Sequence, residues 1–427
     1  MEQRKIWIFS LDALGNIDAQ NFEDLPGFRR LMDKGAYVPA MRGVYPTLTY
    51  PSHATIITGR PPRSHRIVNN RRLEPHRQKH SWFWYEADIV GDSLIRAGLR
   101  KGRKIGAFLW PVNAGAGIDA NFAEIFPTQP KEKQSLLSLK NSRLSTILPI
   151  EWRYGKERQG ARQPQLDNYV EKGCKYIIDK RDPDLLFVHF LDVDSHKHLF
   201  GADSPEVKEA IRRIDGRIQS VLSWRDSRPD RDRIDLVFLS DHSQINTPNY
   251  LYPLTDFAQA GWLVEEDQAV CSYDMVPHSA GGACYVYLQD CVLHNPDRVA
   301  EAKNFLRDYL GNKEGLEALY FQEDLEHFGA DSQAFAMIEA KAGYAFSEYF
   351  AGTDRAHFEK KTHSANHGYH PDKELYDAIF FGLGPSFKEG YRKDQRGSLL
   401  DIAPTLARVQ NLDLRDAQGR VMEELLR

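Results

Sequence analysis

The chain of 427 residues contains four cysteines, Cys174, Cys271, Cys284 and Cys291, and no pair of them has a C-x-x-C spacing. So sparse a set excludes a disulfide scaffold and a structural zinc ribbon. No run of about 18 apolar residues occurs, so no membrane-spanning helix is expected. An excess of positive charge is also missing. Lys and Arg total 56 against 60 Asp and Glu, a net charge of -4, so no global field favours a nucleic-acid polymer. There are no internal repeats and no low-complexity tracts. The opening residues pass straight into an apolar run at Lys5–Asp12, without the basic and apolar regions of a secretory leader. A cytoplasmic location is the resulting expectation.

What is present reads as an α/β protein. Short apolar runs at Ile6–Leu11, Lys104–Trp110, Leu185–Leu191, Leu236–Leu239 and Ala378–Leu383 have the length and continuity of buried parallel strands. Amphipathic segments separate them. In Pro205–Trp224 the residues Val207, Ala210, Ile211, Ile214, Ile218, Val221 and Leu222 fall on one helical stripe, with Ser204 as cap and Pro205 in the first turn. Alternating strands and helices imply a largely parallel central sheet with helices on both faces. Residues 251–355 differ, with a helix near Pro296–Tyr309 and a strand-like run at Ala334–Phe346 but no strand ending in acid. They read as a smaller α+β cap inserted into a core of residues 1–250 and 356–427.

Three strands of the core run into carboxylates: Asp12, then Asp192 and Asp194, then Asp241. Ligands of open parallel sheets bind beyond the carboxyl ends of the strands, so these acids converge. Clustered carboxylates repel one another unless protonated or neutralised by cations. A strand-end Asp is often only a helix cap; three together, beside histidines, point to cations. His242 follows Asp241. The stretch Asp192–Gly201 holds two acid–histidine pairs at i, i+4, Asp192/His196 and Asp194/His198, and spacing alone does not choose between them. His363, His367 and His370 crowd the segment before Ala378, and Gly368 allows close backbone approach. His367 is the natural candidate to complete a second shell. Imidazoles and carboxylates without thiolate suit Zn²⁺, with Mn²⁺ as a substitute. Thr47 and Thr49 precede a helix start at Pro51, where free N–H groups favour phosphate. A threonine hydroxyl attacks phosphorus only if a metal lowers its pKa.

Together these segments resemble the alkaline phosphatase superfamily, in its nucleotide pyrophosphatase/phosphodiesterase-like branch. Pro46–Gly59 fits the nucleophile motif P-S/T-x-T-F/Y-P-N-H-x-x-I/L-x-T/S-G, which places the nucleophile at Thr49. Asp194–Gly201 fits D-x-x-x-H-x-x-G, Asp241-His242 fits D-H-G, and His367-Gly368-Tyr369 fits H-G-Y/F. His65–Asn70 fits H-G-I/V-x-x-N. The resemblance implies one metal on Asp12, Thr49, Asp241 and His242, and another on Asp194, His198 and His367. It implies that Asn70 contacts a phosphoryl oxygen and that Tyr50 stacks a nucleobase or other leaving group. The chain departs from the pattern at Asp12-Ala13 for D-G, Ser52 for Asn, Ser243 for Gly and Arg66 for Gly. No ligand is lost.

The function implied is two-metal hydrolysis of phosphodiester or pyrophosphate bonds through a phosphothreonine, on a small phosphate ester such as a nucleotide. A phosphomonoesterase or phosphonate hydrolase with the same cage is the alternative, and a non-catalytic metal-binding protein a more distant one. A sulfatase would need a C-x-P-x-R motif, which is missing.

Overall fold

The computed structural model describes residues 4–129, 131–352 and 364–427. Its main sheet includes β1 (Lys5–Leu11), β2 (Ala36–Arg42), β3 (Ile105–Phe108), β4 (Ala120–Phe122), β5 (Leu185–Phe190), β6 (Ile234–Leu239), β7 (Ala378–Leu383), β8 (Tyr391–Arg392) and β9 (Gly397–Ser398). Their order is β8-β2-β7-β6-β1-β5-β3-β4, with β9 also on β2. From β4 to β6 all pairings are parallel.

The strand periodicity of two sorts side chains cleanly between two cores. Ile6, Ile8, Leu185, Phe187, Val237 and Leu239 pack on one face with the Thr49–Thr58 and Ile402–Gln410 helices. Trp7, Phe9, Leu186, Val188, Leu236 and Phe238 pack on the other with the Gln165–Arg181 and Pro205–Asp226 helices. Being covered on both faces explains why these strands read as unbroken apolar runs rather than alternating ones.

One expectation is corrected. β7 runs antiparallel to both β6 and β2. Its first residues therefore lie beside the ends of β6: Ser240 N–H donates to Ile379 O at 3.0 Å, and Ile379 N–H donates to Ser240 Oγ at 2.9 Å. The reversal is what brings the histidine loop preceding β7 to the acid-bearing edge. A parallel β7 would have delivered it to the opposite edge.

Between Pro253 and Phe346 a four-stranded antiparallel sheet forms from Met275–Ser279, Ala283–Leu288, Ala336–Ala340 and Leu316–Phe321, with its own apolar core. The Ala334–Phe346 run is two strands, Ala336–Ala340 and Tyr344–Phe346, and the helix predicted near Pro296–Tyr309 spans Pro296–Asn312. The 355/356 boundary of the expected cap lies outside the described residues, as does His363.

Candidate metal centre

Asp12 and Asp241 follow β1 and β6, which are neighbours in register. Both carry on the even-odd phase of Ile8 and Leu239, so they face the side where the Thr49–Thr58 helix begins. There His242 Nε2 stands 3.1 Å from Thr49 Oγ1, 3.1 Å from Asp241 Oδ2 and 3.5 Å from Asp12 Oδ1. His242 Nδ1–H donates to Ser243 O at 3.2 Å, which leaves the Nε2 lone pair facing this group.

Asp194 and His198 come from the Asp192–Phe200 helix, one turn apart. The chain turns into that helix over the buried Asp167 carboxylate, which accepts from Leu191 N–H and Asp192 N–H at 3.1 and 3.2 Å. His198 Nε2 lies 3.3 Å from Asp194 Oδ1, while its Nδ1–H donates to Ala365 O at 2.8 Å. The other pair is engaged elsewhere: Arg213 binds Asp192 with both arms at 2.7 and 2.9 Å, and His196 sits 3.0 Å from the same carboxylate. The choice left open by spacing is thus decided by Arg213, which neutralises Asp192 and leaves Asp194 to the cluster.

His367 closes the arrangement, its ring 4.1 Å from that of His242 and 5.2 Å from that of His198. It is held by Gly368, whose N–H donates to Thr47 O at 3.0 Å and Thr47 Oγ1 at 3.1 Å. Gly368 has φ +94°, and a Cβ there would lie 1.6 Å from Ala280 O, so only glycine fits. Thr47 therefore anchors the loop, and Thr49 alone of the two faces His242. His370 packs edge-on against Tyr45 and Phe328 instead.

Asp12/Asp241/His242 and Asp194/His198/His367 form two donor groups, and His53/His189/Asp241 a third that shares Asp241, each with its ligand atoms within 4.8 Å of one another. Asp12 Oδ1, Asp241 Oδ2 and His367 Nδ1 are buried and have no hydrogen-bond partner. Burial, then the Asp194 charge, raises Asp12 to about 7; burial, then Asp12, holds Asp241 well above the carboxylate range. Burial, then the neighbouring His198, lowers His367 to about 4, and burial with His367 lowers His242 well below its ordinary value. His242 and His367, both lowered, and the crowded carboxylates of Asp12 and Asp241 are donors that divalent cations satisfy, while at His198 burial is outweighed by the Asp194 charge, which raises the imidazole. These residues fit a pair of such ions.

Asn70 accepts from Tyr50 N–H through Oδ1 at 2.9 Å and lines a cleft with Trp82, His198 and His367. Tyr50 itself is 1% exposed and belongs to the core, packed against Trp82 at 5.2 Å. The stacking role expected for Tyr50 is corrected on this point: its ring is spent on the core, and the aromatic side chains lining the cleft are Trp82, Phe346 and Tyr349.

Three supporting residues escaped the sequence reading. His53, one turn after Thr49, donates Nδ1–H to Thr49 O and bonds Ser10 Oγ through Nε2. His189 Nε2 lies 3.1 Å from Asp12 Oδ2. Gln244 Nε2 donates to Asp194 Oδ1 at 2.5 Å. A histidine inside the apolar run of β5 was the available signal for His189; Gln244 carried none.

The sheet thus gathers a strand-end acid cluster, a histidine loop and a helix-start threonine at one site, and comparison with known proteins assigns the chain to a family. Residues 7–370 match the family model for type I phosphodiesterase / nucleotide pyrophosphatase, and the chain belongs to that family, within the alkaline phosphatase superfamily. Human ectonucleotide pyrophosphatase/phosphodiesterase family member 1 is 27% identical over 53% of this chain and 22% of its own length. A Schizosaccharomyces pombe relative, an uncharacterized pyrophosphatase/phosphodiesterase, is 25% identical over 52% of this chain and 41% of its own. Human family member 5 is 24% identical over 96% and 75%. The matches thus span well under half of the first two relatives. The solved structure of murine family member 5 superposes with a TM-score of 0.69 at 19% identity, covering 99% of this chain and all of that one, which shows the shared fold.

Proposed function

We propose that this protein is a two-metal hydrolase of phosphodiester or pyrophosphate bonds, with Thr49 as nucleophile and a phosphothreonine intermediate. The observation that carries the reading is the Thr49 hydroxyl at the start of a helix, 3.1 Å from Nε2 of His242, whose ring lies 4.1 Å from that of His367 in the second donor group. Asp12, Asp241, His242 and Thr49 would hold one ion, and Asp194, His198 and His367 the other, Zn²⁺ or Mn²⁺. Bound there, such ions would lower the pKa of the threonine hydroxyl and offset charge on the phosphoryl oxygens. Thr49 Oγ1 attacks phosphorus in line, the bond to the leaving oxygen breaks, and water then cleaves the phosphothreonine and restores the hydroxyl. The helix N-terminus and the Asn70 amide donate to the phosphoryl oxygens.

The proposed substrate is a small ester, and a nucleotide is supported by murine family member 5, whose inactive form was solved in complex with AMP. A monoesterase would need a cation for the extra phosphate charge. Arg71, the arginine lining the cleft, is paired with Glu348 instead. Residues 251–355 act as the selectivity cap in this reading, since Ser279, Ala280 and Phe346 reach the cleft. A cytoplasmic setting is part of the proposal, supported by four unpaired cysteines, two of them exposed.

Thr49→Ala is the test. It should retain bound metal and lose hydrolysis of bis-p-nitrophenyl phosphate; unchanged turnover removes Thr49 from the mechanism.

A further inference from the structure

Ala13 is the residue on which the two donor groups meet. It directly follows Asp12 and has φ +58°, a left-handed conformation that a Cβ disfavours. Its N–H donates to Asp241 Oδ1 at 3.2 Å, and its C=O accepts from Lys197 Nζ at 2.9 Å. Lys197 comes from the Asp192–Phe200 helix, between Asp194 and His198, and is fully buried. Its counter-charge is Asp18 at 2.6 Å, itself buried, and the same Asp18 oxygen accepts from Gly15 N–H at 2.9 Å. A buried ion pair therefore ties the helix that carries the second donor group to the loop that leaves the first.

Neither member of the pair lines the cleft. A helix position that needed only packing would hold an apolar residue, as Val193 does four residues earlier. A buried ammonium is costly unless each charge is paired and its protons are bonded, so its presence points to what those protons hold. Here one proton holds the C=O of a residue in a conformation alanine resists, and the N–H on the other side of that residue's φ and ψ holds a carboxylate of the first donor group.

We infer that Lys197, with Asp18, is a positioning residue that holds Ala13 in its left-handed turn and so keeps Asp12 and Asp241 aimed at one ion while locking that group to Asp194 and His198. The inference rests on the two-ion reading above. It differs from a packing role because it assigns the effect to one backbone torsion.

The test is zinc binding by titration calorimetry on the EDTA-stripped full chain, with circular dichroism as the check on folding. Lys197→Met/Asp18→Asn removes both charges together and leaves no carboxylate buried alone. The zinc Kd should rise at least about tenfold, the range lost when groups supporting metal ligands are removed. Adding Ala13→Gly should recover it to within about threefold of the parent, because glycine adopts positive φ without help. An unchanged Kd in the double variant overturns the inference, and so does a triple variant that binds no better than the double. Should the double variant fail to fold, Lys197→Gln is measured the same way, with a rise of at least about threefold expected and an unchanged Kd decisive against the clamp. A parent protein that binds no zinc at all defeats the two-ion reading instead.

Discussion

Thr47 and Thr49, two residues apart, face different halves of the site: the Thr47 hydroxyl holds Gly368 and Tyr369 of the histidine loop, while that of Thr49 faces His242. The same short segment thus supplies the proposed nucleophile and an anchor. Thr47→Val removes the donor to Tyr369 O and one acceptor of Gly368 N–H. It should cost about 1–3 kcal/mol of stability in urea melts of the metal-free protein, the cost of buried groups left unpaired.

Gln244→Leu should weaken metal binding without removing a ligand. Its amide holds Asp194 Oδ1, so its loss frees that carboxylate to turn. An affinity lower by about tenfold or more in competition with a chromogenic chelator is expected; an unchanged affinity would show that Asp194 is held by His198 alone.

Trp82 and Tyr50 separate binding from packing. Trp82→Ala should raise KM about tenfold for an aryl or nucleoside ester, the scale of one stacking contact, with a small change in stability. Tyr50→Ala should instead cost about 3–5 kcal/mol in thermal or chemical unfolding, because its ring fills the core.

Glu339 gives a pH signature. It is buried on the cap sheet, where it accepts from Tyr45 Oη at 2.7 Å and His370 N–H at 2.9 Å and lies 3.4 Å from Lys373 Nζ. Burial outweighs the Lys373 charge and raises it to about 7. A folded pKa above the unfolded value means the folded state holds the extra proton between about pH 4.5 and 7, so this group's contribution is present below that window and is lost as pH rises through it. The loss is about 3 kcal/mol at most. Glu339→Gln should flatten that part of the stability curve of the metal-free protein; the same slope in the variant would assign it to other acids.

The acids were legible because three buried strands run into Asp, two of them beside histidines, which helix capping alone does not explain, and the fold followed from the runs that carry them. The direction of β7 was not legible, since an apolar hexapeptide has no polarity visible in composition; only its pairing with β6 shows it. The same holds for Tyr50, where motif position and burial are separate facts. Ala13 and Arg66 stand where the family pattern has glycine, and both keep positive φ, +58° and +69°. The backbone demand survived the loss of the residue that signals it, and the compensating contacts, from Lys197 to Ala13 and between Arg66 and Asp331 at 3.9 Å, come from far along the chain. Gln244 is invisible for a related reason: it acts through side-chain hydrogen bonds to Asp194 that no spacing announces.

The central claim is a pair of ions framed by acids and histidines around one threonine, and zinc anomalous diffraction from crystals of the native protein addresses it most directly. The account predicts two peaks, one among Asp12, Thr49, Asp241 and His242 and one among Asp194, His198 and His367. No peak in either place, or zinc bound only elsewhere on the chain, would contradict it.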